Sequence, residues 1–319
     1  MFPYLLRRLG QALVLLLIVS MLGFAILHLA PGGPLSQFAL SSQMSPEDIA
    51  RISHQLGLDR PLPVQYADWI GGVLRLDLGS SLITGTSVGS ELSQKAQVTA
   101  PLGALSLLFA VLIGAPLGFV TAVRHARASG MIVSGLAQTL AAVPIVWAGL
   151  LLIILFGVVL GWLPTQGFPR DGWDEPGRAL RSLILPALTI GIIEGAVLLR
   201  FVRSAVLDAL GEDYVRTAAS KGLTRTEALV RHGLPNVALS IISVLGIQIA
   251  GVVVGTVVIE QLFNLPGIGR MLVTDVGNRD LPKVQSELLL LTGVVLIVGF
   301  VVDLLHRLID PRQRERADG

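Results

Sequence analysis

YVRTAASKGLTRTEALVRHGLPN, Tyr214 to Asn236, is a polar and basic stretch set between two long apolar runs. Gly211-Glu212-Asp213 puts acids at the start of a short helix running to Lys221, where negative charge complements the helix dipole. Gly222 is placed to end that helix in a left-handed conformation. Thr224-Arg225-Thr226-Glu227 then reads as a capping box, in which the threonine hydroxyl takes the N3 amide and the glutamate returns to the cap amide. The second helix takes in Glu227, Ala228, Leu229, Val230 and Arg231, and Gly233 and Pro235 are expected to stop it before the next apolar run. Two capped helices about a glycine corner make a rigid protrusion. Small residues (Ala218, Ala219, Ser220, Gly222) let another backbone approach, and the basic side chains form a polar rim. That is the form of a docking knob for a partner. An element resting on anionic lipid is the other reading. A helix-turn-helix for nucleic acid is disfavoured, because the unit is tethered between apolar runs and shows no dimer spacing.

The rest of the chain sets the knob in a membrane. Of 319 residues, 52% are hydrophobic and only 14% charged, and the mean hydropathy is +0.72. Soluble domains of this size are far more polar. The formal net charge is only +2, so no broad nucleic-acid footprint exists. Cysteine is absent, which excludes disulfides, thiolate metal sites and a cysteine nucleophile.

A helix needs roughly 20 apolar residues to span the hydrocarbon core. Six stretches approach this: about Leu9–Ala30, Pro101–Val123, Val133–Leu160, Leu183–Val202, Val237–Ile259 and Leu288–Leu308. The fold class expected is an all-α membrane protein with six spans and both termini on one side. Arg7 and Arg8, Arg124 and Arg127, and Arg307, Arg312, Arg314 and Arg316 flank the spans on that side, which the positive-inside rule makes cytoplasmic. The knob faces the cytosol with them. The first apolar run is too long for a signal-peptide core, and Pro31 after Ala30 would hinder cleavage, so it reads as an anchor.

Four regions follow: residues 1–30 (tail and first span), 31–100 (an extracytoplasmic helical segment), 101–310 (a transmembrane core, with the coupling loop at about 203–236) and 311–319 (a cytoplasmic tail). In the outer segment Ser45-Pro46-Glu47-Asp48 starts a helix with Ile49, Ile52 and Leu56 on one face, and Gly57 ends it. A second helix carries Val64, Ala67, Ile70 and Leu74 at helical spacing. The pair is either a cap over the outer mouth or a set of interfacial helices in the headgroup layer.

Within the spans, Glu194 is an acid well inside an apolar run, which costs about 2.5–3.5 kcal/mol on insertion scales. It either lines a translocation path, meeting a substrate amino terminus or cation, or is a structural acid paired with Arg200 or a neighbouring subunit. Gly251 and Gly255 form a G-x-x-x-G face, expected at an interface with a second subunit. Gln248 projects into the pore or bonds another helix. Pro116, Pro144 and Pro186 are expected to kink their spans. The histidines show no metal-ligand spacing. None of the three lysines follows a glycine, so the chain has no P-loop, and it has neither His-Glu-x-x-His nor Gly-x-Ser-x-Gly.

The knob's motif YVRTAASKGL resembles the signature loop of the integral-membrane permease subunits of ABC importers for dipeptides, oligopeptides and nickel. So do YLLRRLGQALVLLL, HLAPGGP, LGLDRPLPVQY, VIEQLFNLPGIGR and VVDLLHRLIDPR along nearly the whole chain. Gly33, often aspartate in the family, and Glu194 depart from the pattern. The resemblance implies that Arg216, Thr217, Ala218, Gly222, Leu223, Thr224, Glu227, Leu234 and Pro235 couple the chain to an ATPase; Glu194, Gln248 and Pro144 are the candidate pathway residues from the reading of the spans. It implies a non-catalytic subunit in a bacterial or archaeal cytoplasmic membrane that binds no cofactor, ATP and magnesium belonging to partner chains. The implied partners are a second homologous permease subunit, two ABC ATPase subunits, an extracytoplasmic binding protein or lipoprotein, and membrane lipid, with no nucleic acid. The implied cargo is a peptide, with glutathione or nickel as alternatives. A self-sufficient secondary carrier is the competing class, but no inverted repeat is visible.

Overall fold

The computed structural model describes residues 2–29, 45–55 and 57–309. Leu56, the HLAPGGP landmark from Ala30 onward with Gly33, and the tail from residue 310 lie outside the described residues. Among the described residues every regular element is helical, apart from one isolated bridge between Ser80 and Ser87. Helix α1 is Phe2–Leu29, α2 is Pro46–Gln55 and α3 is Leu62–Leu74. The Ser45 hydroxyl accepts the Asp48 amide at 3.1 Å and so caps α2, and Gly57 at φ +68° closes it. On α3, Val64 and Leu74 are exposed, and the helix meets α1 instead through Tyr66, whose hydroxyl lies 2.8 Å from Ser20 Oγ.

Two membrane-length helices follow expectation and outrun it. Helix α4, Val88–Val123, starts more than three turns before Pro101, and α7, Pro176–Gly211, exceeds the predicted fourth span at both ends. Pro116 and Pro186 sit inside unbroken helices.

The predicted third span needs correction. It is two helices, α5 (Ala128–Ala141) and α6 (Ile145–Leu152, continuing as a π-helical segment, Ile153–Val159), bent by 107°. Pro144 is the cause: it lacks an amide proton and steers the preceding Val143 away from helical geometry. The described residues therefore contain five helices long and apolar enough to cross a membrane, or six if the bent pair counts as one span.

The expected stop after the knob is also corrected. Helix α8 is Asp213–Ser220 and α9 is Arg225–Ala228, but α9 passes through a π-helical turn, Leu229–Gly233, directly into α10, Leu234–Leu262. Pro235 stands in the first turn of α10, directly after the π-helical turn. Helices α11 (Ile268–Asn278) and α12 (Leu281–Ile309) complete the chain.

The chain forms two compact units, residues 1–99 with 266–296 and residues 100–265 with 297–319. In the second, α7 is the central helix, burying Leu183, Leu185, Ile190, Leu198 and Val206 among others. Its approach to α4 is backbone to backbone. A Cβ on Gly114 would stand 2.5 Å from the Gly195 carbonyl oxygen, and one on Gly191 would stand 3.0 Å from the Ser106 carbonyl oxygen. In the first unit, Lys283 Nζ bridges Glu91 at 2.8 Å and Asp275 at 2.9 Å with only 7% of its side chain exposed. Fully buried Glu287 has Asp275, Lys283 and Asp280 as its charged neighbours. Asp280 accepts from Ser81 Oγ and from the Leu82 amide.

Candidate functional site

The knob between α7 and α10 is a small folded body with its own core. Val215, Ala218 and Ala228 are buried against one another with Leu223 packed on them, while Leu229 is buried with Val206, Ala209 and Val237 of the flanking long helices. Val215 and Ala218 stand three residues apart on α8, so one face turns inward. The other face carries Arg216 and Thr217, which are exposed. Arg216 reaches Asp213 at 3.5 Å and the Gly211 carbonyl at 3.2 Å, holding the outer face of α8 to its own first turn.

The corner is built as its residues dictate. Gly222 has φ +100°, a conformation closed to residues with a Cβ, and the Lys221 and Gly222 amides donate to the Ala218 and Ala219 carbonyls. Thr224 Oγ1 accepts the Glu227 amide at 3.3 Å, and the Glu227 carboxylate accepts the Thr224 amide at 2.8 Å and the Thr224 hydroxyl at 2.7 Å. The hydroxyl, and after it the amide, hold the Glu227 carboxyl below the usual carboxylate range. Both capping-box bonds are formed.

Of the residues implied in coupling, Arg216, Thr217, Gly222, Thr224, Glu227, Leu234 and Pro235 are exposed and Leu223 is half-buried. Ala218 differs: it is 9% exposed and faces the knob's own core, so its small size serves packing inside the knob. Val215 and Ala228 complete that core, a role that the Val215–Ala218 spacing signals.

Glu194, Gln248 and Gly251 come together between α7 and α10. Gln248 Nε2 donates to the Glu194 carbonyl at 2.7 Å, an interhelical bond, and its Oε1 is buried without a hydrogen-bond partner among the described residues. A Cβ on Gly251 would stand 2.6 Å from Glu194 Oε1. Arg200 stacks on Phe201 at 5.5 Å and forms no ion pair with Glu194 among the described residues. The assignment of Gly251 and Gly255 to a subunit interface is corrected: Gly251 faces Glu194, and Gly255 faces Ile190 and Ile145 of the same chain. The motif demands close approach of another helix, and here α7 and α6 supply it. Pro144 lies at the α5–α6 break, one residue before Ile145.

Comparison with known proteins decides what this arrangement belongs to. Residues 114–315 match the binding-protein-dependent transport system inner membrane component, and residues 1–100 match its N-terminal part. The chain belongs to this family. The dipeptide transport system permease protein DppB of Escherichia coli is 35% identical, with 99% of this chain and 100% of the relative covered. The glutathione transport system permease protein GsiC of Salmonella choleraesuis is 38% identical, with 98% and 99% covered. The di/tripeptide permease protein DppB of Pseudomonas aeruginosa is 36% identical over 99% of this chain and 100% of its own. Among solved structures, an inward-facing form of the methionine ABC transporter MetNI superposes with a TM-score of 0.58 at 17% identity, covering 69% of this chain and 96% of that one, a likeness of fold. The binding-protein-dependent permease described here is therefore a multi-pass membrane subunit of an ABC importer, with ATPase and binding-protein partners. It is a transport subunit, not an enzyme, and a family of this kind carries no cofactor of its own.

Proposed function

We propose that this permease forms half of the translocation pathway of an importer for di- or oligopeptides, and that the knob between α7 and α10 is its coupling element. Two ATPase subunits, a second homologous permease and an extracytoplasmic binding protein or lipoprotein complete the assembly. Both termini and the knob face the cytosol. The observation that carries the reading is the knob itself, with its buried Val215–Ala218–Ala228 core, the Gly222 corner and the closed capping box. A rigid body joined without a break to α10 through the π-helical turn at Leu229–Gly233 carries closure of an ATPase dimer into the spans. Glu194 faces the pathway, and Gln248, buried beside it, holds the Glu194 backbone in place across α7 and α10. Peptide is favoured as cargo by the names of the relatives, dipeptide and di/tripeptide permeases; the glutathione relative keeps a modified tripeptide within the same class, and nickel is the second reading. Mild-detergent purification of the tagged chain from its own membrane, with mass spectrometry of its companions, tests this. Two P-loop ATPases and a second permease are expected. A chain that purifies alone and takes up solute in liposomes on an ion gradient overturns it.

A further inference from the structure

A cavity of about 370 Å³ opens where the C-terminal end of α1, the loop before α3, α3 itself and the first turn of α12 meet, wholly within the unit of residues 1–99 and 266–296. The volume suits a small ligand. One wall is aromatic and held in place. The Phe24 and His28 rings stack at 3.9 Å, Trp69 lies 6.4 Å from Phe24, and Tyr66, bonded to Ser20, meets Phe24 edge-on at 5.4 Å. Leu58, Leu82 and Leu281 give an apolar lining.

The polar groups fall into two complementary sets. Arg60 supplies a guanidinium, whereas Trp69 Nε1, which has no acceptor among the described residues, is buried in the wall and contributes only its ring to the cavity. The guanidinium calls for oxyanion oxygens. Asp68 supplies a carboxylate, and His28 Nδ1, 2.9 Å from the Phe24 carbonyl, donates there, which makes Nε2 the acceptor. These call for an ammonium, which the aromatic wall also attracts. Arg60 and Asp68 pair at 3.0 Å but remain 58% and 61% exposed, and a guanidinium with five donors and a carboxylate with several lone pairs each keep capacity beyond that one bond.

We infer that this cavity binds a small zwitterion, a primary ammonium and an oxyanion a few bonds apart, the ammonium on the Asp68–His28 side and the oxyanion on Arg60. Such a group has two sources at a membrane surface: a free short peptide, or the headgroup of an ethanolamine phospholipid reaching up from the bilayer beside α1. The free-peptide source rests on the peptide reading above; the lipid source does not.

The test uses the full chain in nanodiscs of phosphatidylglycerol alone. One arm titrates the dipeptide Ala-Ala by calorimetry, with N-acetyl-Ala-Ala-amide, which lacks both charges, as control. The other adds phosphatidylethanolamine to the bilayer and measures the lipid retained on the protein by native mass spectrometry. Arg60→Gln removes the cation, and Asp68→Asn removes the anion. Expected is binding of at least one zwitterion, none of the control, and at least a tenfold loss of affinity or retention in each variant. Binding of Ala-Ala alone assigns the site to free peptide, and retention of the lipid alone assigns it to the headgroup. No binding of either probe, or binding unchanged in both variants, overturns the site. That failure leaves the importer reading intact, because the latter stands or falls on the co-purifying ATPases.

Discussion

Thr224 and Glu227 are locked in a reciprocal exchange, the hydroxyl of one on the amide of the other and the carboxylate returning to the first amide at 2.8 Å. This pair fixes the start of the helix that leads out of the knob and into α10. Thr224→Ala removes the cap acceptor, and amide exchange across Arg225–Leu229 is expected to rise about five-fold, the factor that a lost N-cap bond carries. Hydrogen exchange by mass spectrometry reads it; unchanged protection contradicts the assigned bond.

The same pair gives the knob a pH dependence of defined sign. Glu227 is held below the usual carboxylate range by the Thr224 hydroxyl, so its contribution is complete above the ordinary glutamate value, about 4.3, and is lost as pH falls through the lowered folded value. Exchange protection at Arg225–Leu229 is therefore flat from pH 7 to pH 5 and declines only in acid. Glu227→Gln is expected to abolish that acid step, and a step that persists in the variant assigns it to another group.

Gly222→Pro demands a φ near −65° where the chain takes +100°. The variant is expected to insert and to reach the membrane in normal amount but to lose ATP-driven uptake. Ala218→Leu acts from inside, forcing about 1–3 kcal/mol of overpacking into a core whose other members are Val215 and Ala228. Limited proteolysis should cut that variant within residues 213–228. Normal uptake in both variants contradicts a coupling role for the knob.

Gly114→Val tests the contact between α4 and α7. The new Cβ would lie 2.5 Å from the Gly195 carbonyl and 2.8 Å from Leu198 Cβ, and backbone cannot move aside as a side chain can. Thermal unfolding in detergent is expected to drop by several degrees, whereas Gly135→Val, with nothing near its Cβ position, leaves it unchanged.

Lys283→Met leaves Glu91, Asp275 and Glu287 around a buried site without their cation. Breaking such a buried pair costs about 3–5 kcal/mol, so the full-length variant should accumulate poorly and unfold at lower temperature. Wild-type thermal stability in Lys283→Met contradicts the bridge.

The parts legible in the sequence are those whose physics is local. Long apolar runs announce spans, Thr224 and Glu227 stand at the fixed spacing of a capping box, and Gly222 marks a corner only glycine takes easily. What stayed hidden depends on residues far apart in the chain. Lys283 meets Glu91 from 192 positions away, and nothing near either residue records it. Gly114 and Gly191 are ordinary span residues until α4 and α7 are laid together. Gly251-x-x-x-Gly255 showed that a helix must come close but not which one, and the answer was α7 and α6 of the same chain. Pro144 announces the break between α5 and α6, but the size of the bend, 107°, is not written in the proline alone.

The most direct measurement of coupling uses the absence of native cysteine. A single cysteine placed by Thr217→Cys on the exposed face of α8, in the complex purified from its own membrane, is treated with a short bifunctional cross-linker and the product identified by mass spectrometry. A cross-link to a P-loop ATPase, with a yield that changes between ATP-bound and nucleotide-free states, is the result this account predicts. A transport-competent complex in which that cysteine reaches no ATPase in either state contradicts it.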